Sequence, residues 1–498
     1  MRDLQVKNES KFFIIMIVYP IVSSFKTLSL QCRKKGNPMK ITLLMPQSDM
    51  YRKGGIFPKA LRYAPLTLTT LAALIPEDLN ATIKCHDEAS VVFDPDTCDA
   101  DIVGITVITP TSKRAYAFAK KLRARGVFVV LGGVHVTLVP DEAIKHADAI
   151  VTGYAEETWP QLLRDFAKKQ TRKRYDQGHS YQFQSVPTPR RDLLNKKPYV
   201  TMNTVQAVRG CPYKCTFCVV PSAWPQYMHR PVKEVVAEVE ALDGDSFLFL
   251  DLSPVEDRRY IKDLYRALIP LKKKWGGLST FTICKDREML ELASKSGCRG
   301  LLIGIESVNP SNLHEMKKGF NKPDSYREQI KMLHDHGVAV NGCFVFGMDE
   351  DDKSVFDLTA EFAIETAIDL PRFAVATPFP GTPFFKQLQS EKRIQSYDWS
   401  LYSGQHVLFQ PKQMTAEELH QGIRRTWKEV YKLGSVWKRI FSSEASRDWD
   451  LLKVSIPANL GYAAYSKFLP PFVSMSCGEE DMWLPETVEQ SPIVLNRL

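Results

Sequence analysis

Short apolar runs alternate with amphipathic stretches twice along this 498-residue chain, and that cadence constrains the fold more than any other feature. Strands that each hand over to a helix before the next strand begins build parallel sheets with helices packed on their faces. Between residue 39 and about residue 170 the pattern predicts strands at 41–45, 82–85, 102–108, 127–131 and 149–151, with helices at 66–74, 112–125, 141–145 and 158–168. A polar stretch, 171–197, rich in Lys, Arg, Gln and Pro, reads as a linker. The second run, 198–385, predicts strands at 247–252, 280–283, 300–305, 339–346 and 372–377, and helices at 233–242, 259–274, 286–296, 323–336 and 352–367. The first domain, 39–170, is therefore expected to be an open α/β sheet and the second, 198–385, a (β/α) barrel, complete or partial. Residues 386–498 lose the rhythm and read as a mainly helical region, with a helix near 415–433.

Near the start of the second run stands Arg-Gly-Cys-Pro-Tyr-Lys-Cys-Thr-Phe-Cys, which places Cys211, Cys215 and Cys218 in a CxxxCxxC triplet. Electron-transfer clusters normally take four thiolates, so a tight loop of three leaves one iron of a cubane open to another ligand. A structural zinc knot is the competing reading. Zinc sites usually pair two short ligand clusters, and the nearest other candidates are His229 and the distant Cys284. The remaining cysteines follow no disulfide rhythm, which fits a reducing compartment; Cys298 and Cys343 read as small core hydrophobes.

The triplet, with the aromatic Phe217 beside its last cysteine, resembles the signature of the radical S-adenosylmethionine (SAM) superfamily. The resemblance implies a 4Fe-4S cluster on the three thiolates, SAM chelating the fourth iron, and reductive cleavage to a deoxyadenosyl radical. It also implies that strand ends of the barrel face SAM: Asp251 and Ser253 toward its amino group, Glu306 and Ser307 near the ribose, and Gly347 near adenine. The first domain resembles the flavodoxin/Rossmann-like cobalamin-binding domain of one branch of that superfamily, at Arg62-Tyr-Ala-Pro-Leu-Thr-Leu, Leu131-Gly-Gly-Val-His-Val-Thr and Gly153-Tyr-Ala-Glu-Glu-Thr. That likeness implies cobalamin at Thr109, Gly132, Gly133, His135, Gly153 and Glu156. The DxHxxG loop that supplies a cobalt-binding histidine is missing from the sequence, so the implied cobalt lacks that ligand.

The branch includes hopanoid methylases, bacteriochlorophyll methyltransferases and the anaerobic magnesium-protoporphyrin ester cyclase. The expected activity is cobalamin-dependent methylation of an unactivated carbon, with oxidation or cyclisation of a tetrapyrrole or lipid as the alternative. A methylthiotransferase acting on RNA would need three further cysteines in the leading domain, which offers Cys85 and Cys98. The expected partners are a small, lipophilic substrate and a low-potential electron donor such as flavodoxin or ferredoxin. A nucleic acid is not expected: of the net charge of +9, residues 1–38 contribute +5, and no dense basic stripe follows.

Those first 38 residues hold an apolar run, Phe12 to Ser23, too short to span a bilayer comfortably and preceded by Asp3 and Glu9, which suit a signal peptide poorly. They are expected to be a dispensable leader, untranslated or disordered, with Met39 as a natural start. The expected location is the cytoplasm, with a peripheral place at the membrane also open. Aromatics at Tyr397, Trp399 and Tyr402, with His406, and later at Tyr462, Tyr465, Phe468 and Phe472, suggest a terminal region that closes over the barrel and shields an apolar substrate. The run Asp349-Glu-Asp-Asp352 reads as a solvent-facing loop or helix cap.

Overall fold

The computed structural model describes residues 38–48, 62–178, 181–442, 449–467 and 469. Expectations for the leader, for Phe468 and for Phe472 fall outside the described residues.

The first sheet contains β1 (Met39–Met45), β2 (Ala81–Asp87), β3 (Ile102–Thr106), β4 (Phe128–Gly132), β5 (Ala149–Thr152) and β6 (Arg174–Asp176). All are parallel, in the order β2-β1-β3-β4-β5-β6. Successive side chains of a strand point to opposite faces, so β1 sends Ile41 and Leu43 to one core and Leu44 to the other. The helices Leu66–Ala73 and Thr158–Ala167 cover the first face, and Ser112–Ala124 covers the second. The order reverses at β1/β3, which opens a crevice beyond the carboxyl ends of those strands. β6 lies inside the stretch read as a linker. Its three residues carry too short a pattern to stand out, and Tyr175 secures the strand by burying its ring and donating to Asp165 Oδ2 at 2.9 Å.

The second sheet contains β7 (Thr204–Val205), β10 (Ser246–Phe249), β11 (Lys274–Ser279), β12 (Cys298–Glu306), β13 (Ala339–Phe346) and β14 (Arg372–Val375), paired in that sequence and all parallel. A short antiparallel pair, β8 (Val208–Arg209) with β9 (Met228–His229), stands beside it. Sequential pairing with β7 and β14 left unjoined makes an incomplete barrel. The predicted strand at 280–283 is instead a 3-10 turn, Phe281–Lys285, and β11 begins at Lys274, the last residue of the predicted helix. The helix stops at Leu268 because Pro270 follows and Lys272 turns left-handed at φ 52°. Gly276 and Gly277 deprive β11 of the branched side chains that announce a strand.

The acidic run is half buried. Asp349 pairs with Arg393 at 2.7 Å and Lys412 at 2.6 Å, and Asp351 accepts from the Gly347 and Met348 amides and from Asn312. These contacts tie the end of β13 to residues 393–412, so the solvent-facing reading holds only for Glu350 and Asp352.

The terminal region divides. Residues 397–410 form a strap at the barrel mouth: Phe409 packs on Phe384, and Trp399 Nε1 donates to Glu142 Oε2 of the first domain at 3.0 Å. The helix Ala416–Val430 runs from Leu419, packed over Gly347 just beyond β13, toward the opposite end, where Leu433–Ser442 and Trp449–Tyr465 join it. Trp427 Nε1 donates to the Phe373 carbonyl and Tyr431 OH to that of Pro371, at the amino end of β14, where Tyr462 and Tyr465 pack against Trp427. These two tyrosines therefore do not shield the mouth. Arg439, fully buried, locks the arrangement by donating to the carbonyls of Ile368, Asp369 and Val430 and to Asn459 Oδ1. Arg439→Leu leaves these acceptors unpaired, and in denaturant titrations it is expected to cost about 3 kcal/mol of unfolding free energy or more; a loss within about 0.5 kcal/mol, the range of a surface substitution, would contradict the assignment.

Candidate active site

The cysteine loop is held at its base and at its tip. At the base, β8 and β9 pair Val208 with His229 and Arg209 with Met228. Gly210 follows at φ +74°, and a Cβ there would overlap the Gln226 carbonyl, so only glycine lets the chain turn into Cys211. At the tip, the Thr216 amide donates to the Met316 carbonyl at 3.1 Å, and the Thr216 carbonyl accepts from the Phe384 amide at 3.0 Å. Tyr213 stacks on Phe320 at 3.9 Å and donates to Glu256 Oε2 at 2.6 Å. Phe217 packs against the barrel core.

Burial raises the pKa of all three thiols, to about 12 for Cys215 and about 11 for Cys218. A bound metal must supply the positive charge that makes them thiolates. Among the described residues no three His, Cys, Asp or Glu side chains converge on a single ion. A cubane spreads its thiolates over separate irons and does not require such convergence.

The strand-end residues separate into two groups. Ser253 hydrogen-bonds the Cys211 thiol, and its hydroxyl also donates to Glu256 Oε1 at 3.3 Å. Glu306 closes β12 in a left-handed conformation, φ +67°, and pairs with Lys318, whose charge acts on all three thiols. These two sites converge on the loop. Asp251, Ser307 and Gly347 are not brought to the loop with them. Asp251 is buried and accepts the Ala207 and Val208 amides, holding the chain between β7 and β8. Ser307 Oγ accepts the Asn309 amide in the turn after β12, and Gly347 lies beneath Leu419 and Phe409.

A cavity of about 480 Å³ opens between the carboxyl ends of the first sheet and the base of the cysteine loop. Gly132, Gly133, Gly153 and Glu156 line it from the first domain; Arg209, Gly210, Trp224, Leu250 and Leu252 line it from the second. Glu156 pairs with Arg209, whose guanidinium lies 4.0 Å over Phe183 and 4.8 Å over Tyr154. Tyr154 OH, Glu156 Oε2 and Trp224 Nε1 are buried without hydrogen-bond partners among the described residues. A wall of mostly apolar groups with stranded donors and an acceptor suits a large ligand fringed with amides.

Thr109 and His135 do not reach this cavity. His135 is fully buried, its Nδ1 3.3 Å from Thr109 Oγ1 and its Nε2 3.2 Å from Tyr116 OH and 3.4 Å from Glu142 Oε1. Glu142, whose burial would raise its pKa, is held below the ordinary range by hydrogen bonds from His135, Tyr116 and Trp399. Both residues therefore belong to the seam with the strap. Sequence reasoning missed Tyr213, Glu256, Lys318, Arg209 and Trp224; their nearness to the triplet in sequence was the available signal for Tyr213, Arg209 and Trp224.

A parallel α/β domain whose strand ends face a three-cysteine loop at the mouth of a partial barrel defines a radical SAM enzyme with a leading cofactor domain. The Radical SAM superfamily profile matches residues 205–363 and the B12 binding domain profile residues 77–163, so a B12-binding domain precedes a radical SAM domain in this chain. It is 29% identical to bacteriochlorophyllide d C-12(1)-methyltransferase of Chlorobaculum tepidum over 396 residues, covering 77% of this chain and 86% of the relative. It is 28% identical to bacteriochlorophyllide d C-8(2)-methyltransferase of the same organism over 364 residues, covering 69% and 79%. In fold it is similar to the cobalamin-dependent SAM radical enzyme OxsB, with a TM-score of 0.64, 14% identity and coverage of 87% of this chain and 72% of that one. The radical SAM methyltransferase TsrM of Kitasatospora setae gives a TM-score of 0.57 at 16% identity, covering 71% and 75%.

The cofactors of such an enzyme are a 4Fe-4S cluster, SAM and cobalamin, and the residues fit them: three thiols on one loop, and a cavity wall with unpaired polar atoms.

Gly210→Ala is expected to fold but to bind several-fold less iron on anaerobic reconstitution, measured by iron analysis; full iron content would contradict the role given to the turn. Burial pushes the Asp251 pKa up to about 7. The folded protein then keeps a proton that the unfolded chain loses near its ordinary pKa of about 3.9, so the contribution of this group is full below that value and is lost as pH rises toward 7. Asp251→Asn is expected to flatten the fall in unfolding free energy across that window, measured by denaturant titration at several pH values.

Proposed function

We propose that this chain methylates an unactivated carbon of a small, largely apolar molecule, a tetrapyrrole or a lipid, inside the cavity between its two α/β domains. The observation that carries the reading is that one cavity is bordered both by the strand ends of the B12-binding domain and by Gly210 and Trp224, which flank the cysteine loop. The two bacteriochlorophyllide methyltransferases it resembles support the reaction and the substrate class. When bound, SAM on the cluster supplies the means to make a carbon radical, and the corrinoid supplies the methyl group.

The chain's own contribution is placement and exclusion of water. Cys211, Cys215 and Cys218 would hold the cluster, with Ser253 and Glu306 beside it. Gly132, Gly133 and Gly153 leave room for the corrinoid, and Tyr154, Glu156 and Trp224 would hydrogen-bond its periphery. Leu250 and Leu252 present apolar surface between the two cofactor sites, where water would quench a radical. An electron donor such as flavodoxin or ferredoxin would reduce the cluster, and no nucleic acid takes part. A cytoplasmic place, free or at a membrane surface, fits this chemistry; no helix among the described residues is long and apolar enough to cross a membrane.

Cyclisation is the second reading, favoured by 26% identity to the anaerobic magnesium-protoporphyrin IX monomethyl ester cyclase of Cereibacter sphaeroides over 371 residues, covering 66% of this chain and 60% of that enzyme. Mass spectrometry of anaerobic reactions with SAM, cobalamin, a reductant and candidate tetrapyrroles or lipids separates the two. A mass gain of one methylene unit is expected; loss of hydrogen or gain of oxygen supports cyclisation and overturns methylation.

A further inference from the structure

We propose that Lys318 tunes the cluster electrostatically: its buried ammonium faces the thiolates of Cys211, Cys215 and Cys218 and raises the reduction potential of the cluster they hold, with Glu306 as the counter-charge that limits the effect. The inference rests on the reading of the loop as a cluster site.

Several independent features place the charge there. The chain after β12 runs under the cysteine loop, since the carbonyls of Glu315 and Met316 accept from the hydroxyl and amide of Thr216. Two residues on, Lys318 turns inward, its amide bonded to the Leu313 carbonyl at 2.7 Å, and is 6% exposed. Among the described residues its ion-pair partner is Glu306, at the end of β12. The pair lies over Gly304, where a Cβ would stand 2.6 Å from Lys318 Nζ, so β12 gives up a side chain to admit the ammonium. Glu306 accepts a left-handed backbone at the same place, a conformation L residues adopt at a cost. A buried ion pair adds little net stability when an apolar pair of similar volume can replace it. Its position at the thiols gives it a use.

The charges are unequal in reach. Burial is the main influence on the thiols, and Lys318 opposes it at all three; Glu306 acts on Cys215 and Cys218, more weakly than Lys318. The field of the pair is thus positive at Cys215 and Cys218, whereas at Cys211 the Glu256 carboxylate acts more strongly than Lys318. Reduction adds one electron to the cluster and makes or breaks no bond, so a nearby fixed cation stabilises the reduced form.

The test is an anaerobic redox titration of the reconstituted protein, with mediators and dithionite as the reductant and the electron paramagnetic resonance signal of the reduced cluster as readout. Lys318→Met is expected to shift the midpoint to more negative potential, Lys318→Arg to stay near the wild type, and Glu306→Gln to shift it to more positive potential, each with the iron content unchanged. Equal midpoints across the four proteins overturn the inference. Should Lys318→Met fail to fold, Glu306→Gln alone decides, and a midpoint unchanged or more negative overturns it. A wild-type protein that takes up no iron overturns the reading of the loop instead, which is a separate result.

Discussion

The ion pair between Glu156 and Arg209 is the contact on which the site depends. Each side chain is only about a tenth exposed, and each comes from a different domain: Glu156 follows β5, and Arg209 ends β8 one residue before the glycine that turns into the cysteine loop. Removing one partner of such a pair leaves an uncompensated charge, at a cost of about 3–5 kcal/mol. The pair therefore fixes the crevice of the first sheet opposite the loop of the second. Around it the Arg209 guanidinium is sandwiched by Tyr154 and Phe183, and Tyr154 stacks on Trp224. Tyr63 and Thr201 extend the contact between the domains as a parallel bridge, and the Ala64 amide donates to the Thr201 carbonyl at 3.0 Å. Arg62, at the head of the motif noted in the sequence, donates to the carbonyls of Ala89 and Pro198 and so helps to hold the domains together.

A second constraint acts on the loop itself. Three thiols that burial keeps protonated are held in place by neighbours from β8, β9, the segment after β12 and the start of the helix Pro383–Ser390. Their positions are set by backbone contacts before any metal arrives, so less ordering entropy remains to oppose binding. The strap from 397 to 410 adds a tie through Trp399 and Glu142, which joins the barrel mouth to the His135 cluster.

Most of the parallel architecture was legible because its signals are local. The strand at 339–346 and the helix starting at Ser112 appear where the residue pattern puts them, since every second residue of the strand is buried and an amphipathic helix needs its period. β11 was not legible: its two glycines carry no strand preference, and its neighbours in the sheet decide it. Among the candidate site residues, Gly132, Gly133, Gly153 and Glu156 reach the cavity, whereas Asp251 and His135 are equally polar and equally near strand ends but are turned to backbone amides and to a buried carboxylate. Nothing in residue type distinguishes these fates.

The sequence by itself determined the two parallel sheets, the order of the domains and the three thiols of one loop. Each of these depends on residues within a few positions of one another, where periodicity and ligand spacing act directly. Only the tertiary structure decided that Lys318 stands beside thiols about a hundred residues earlier, that Trp399 caps Glu142, and that the last helices pack on the amino end of β14. Those pairings come from burial of surfaces far apart in the chain, and a contact of that kind leaves no local pattern to read.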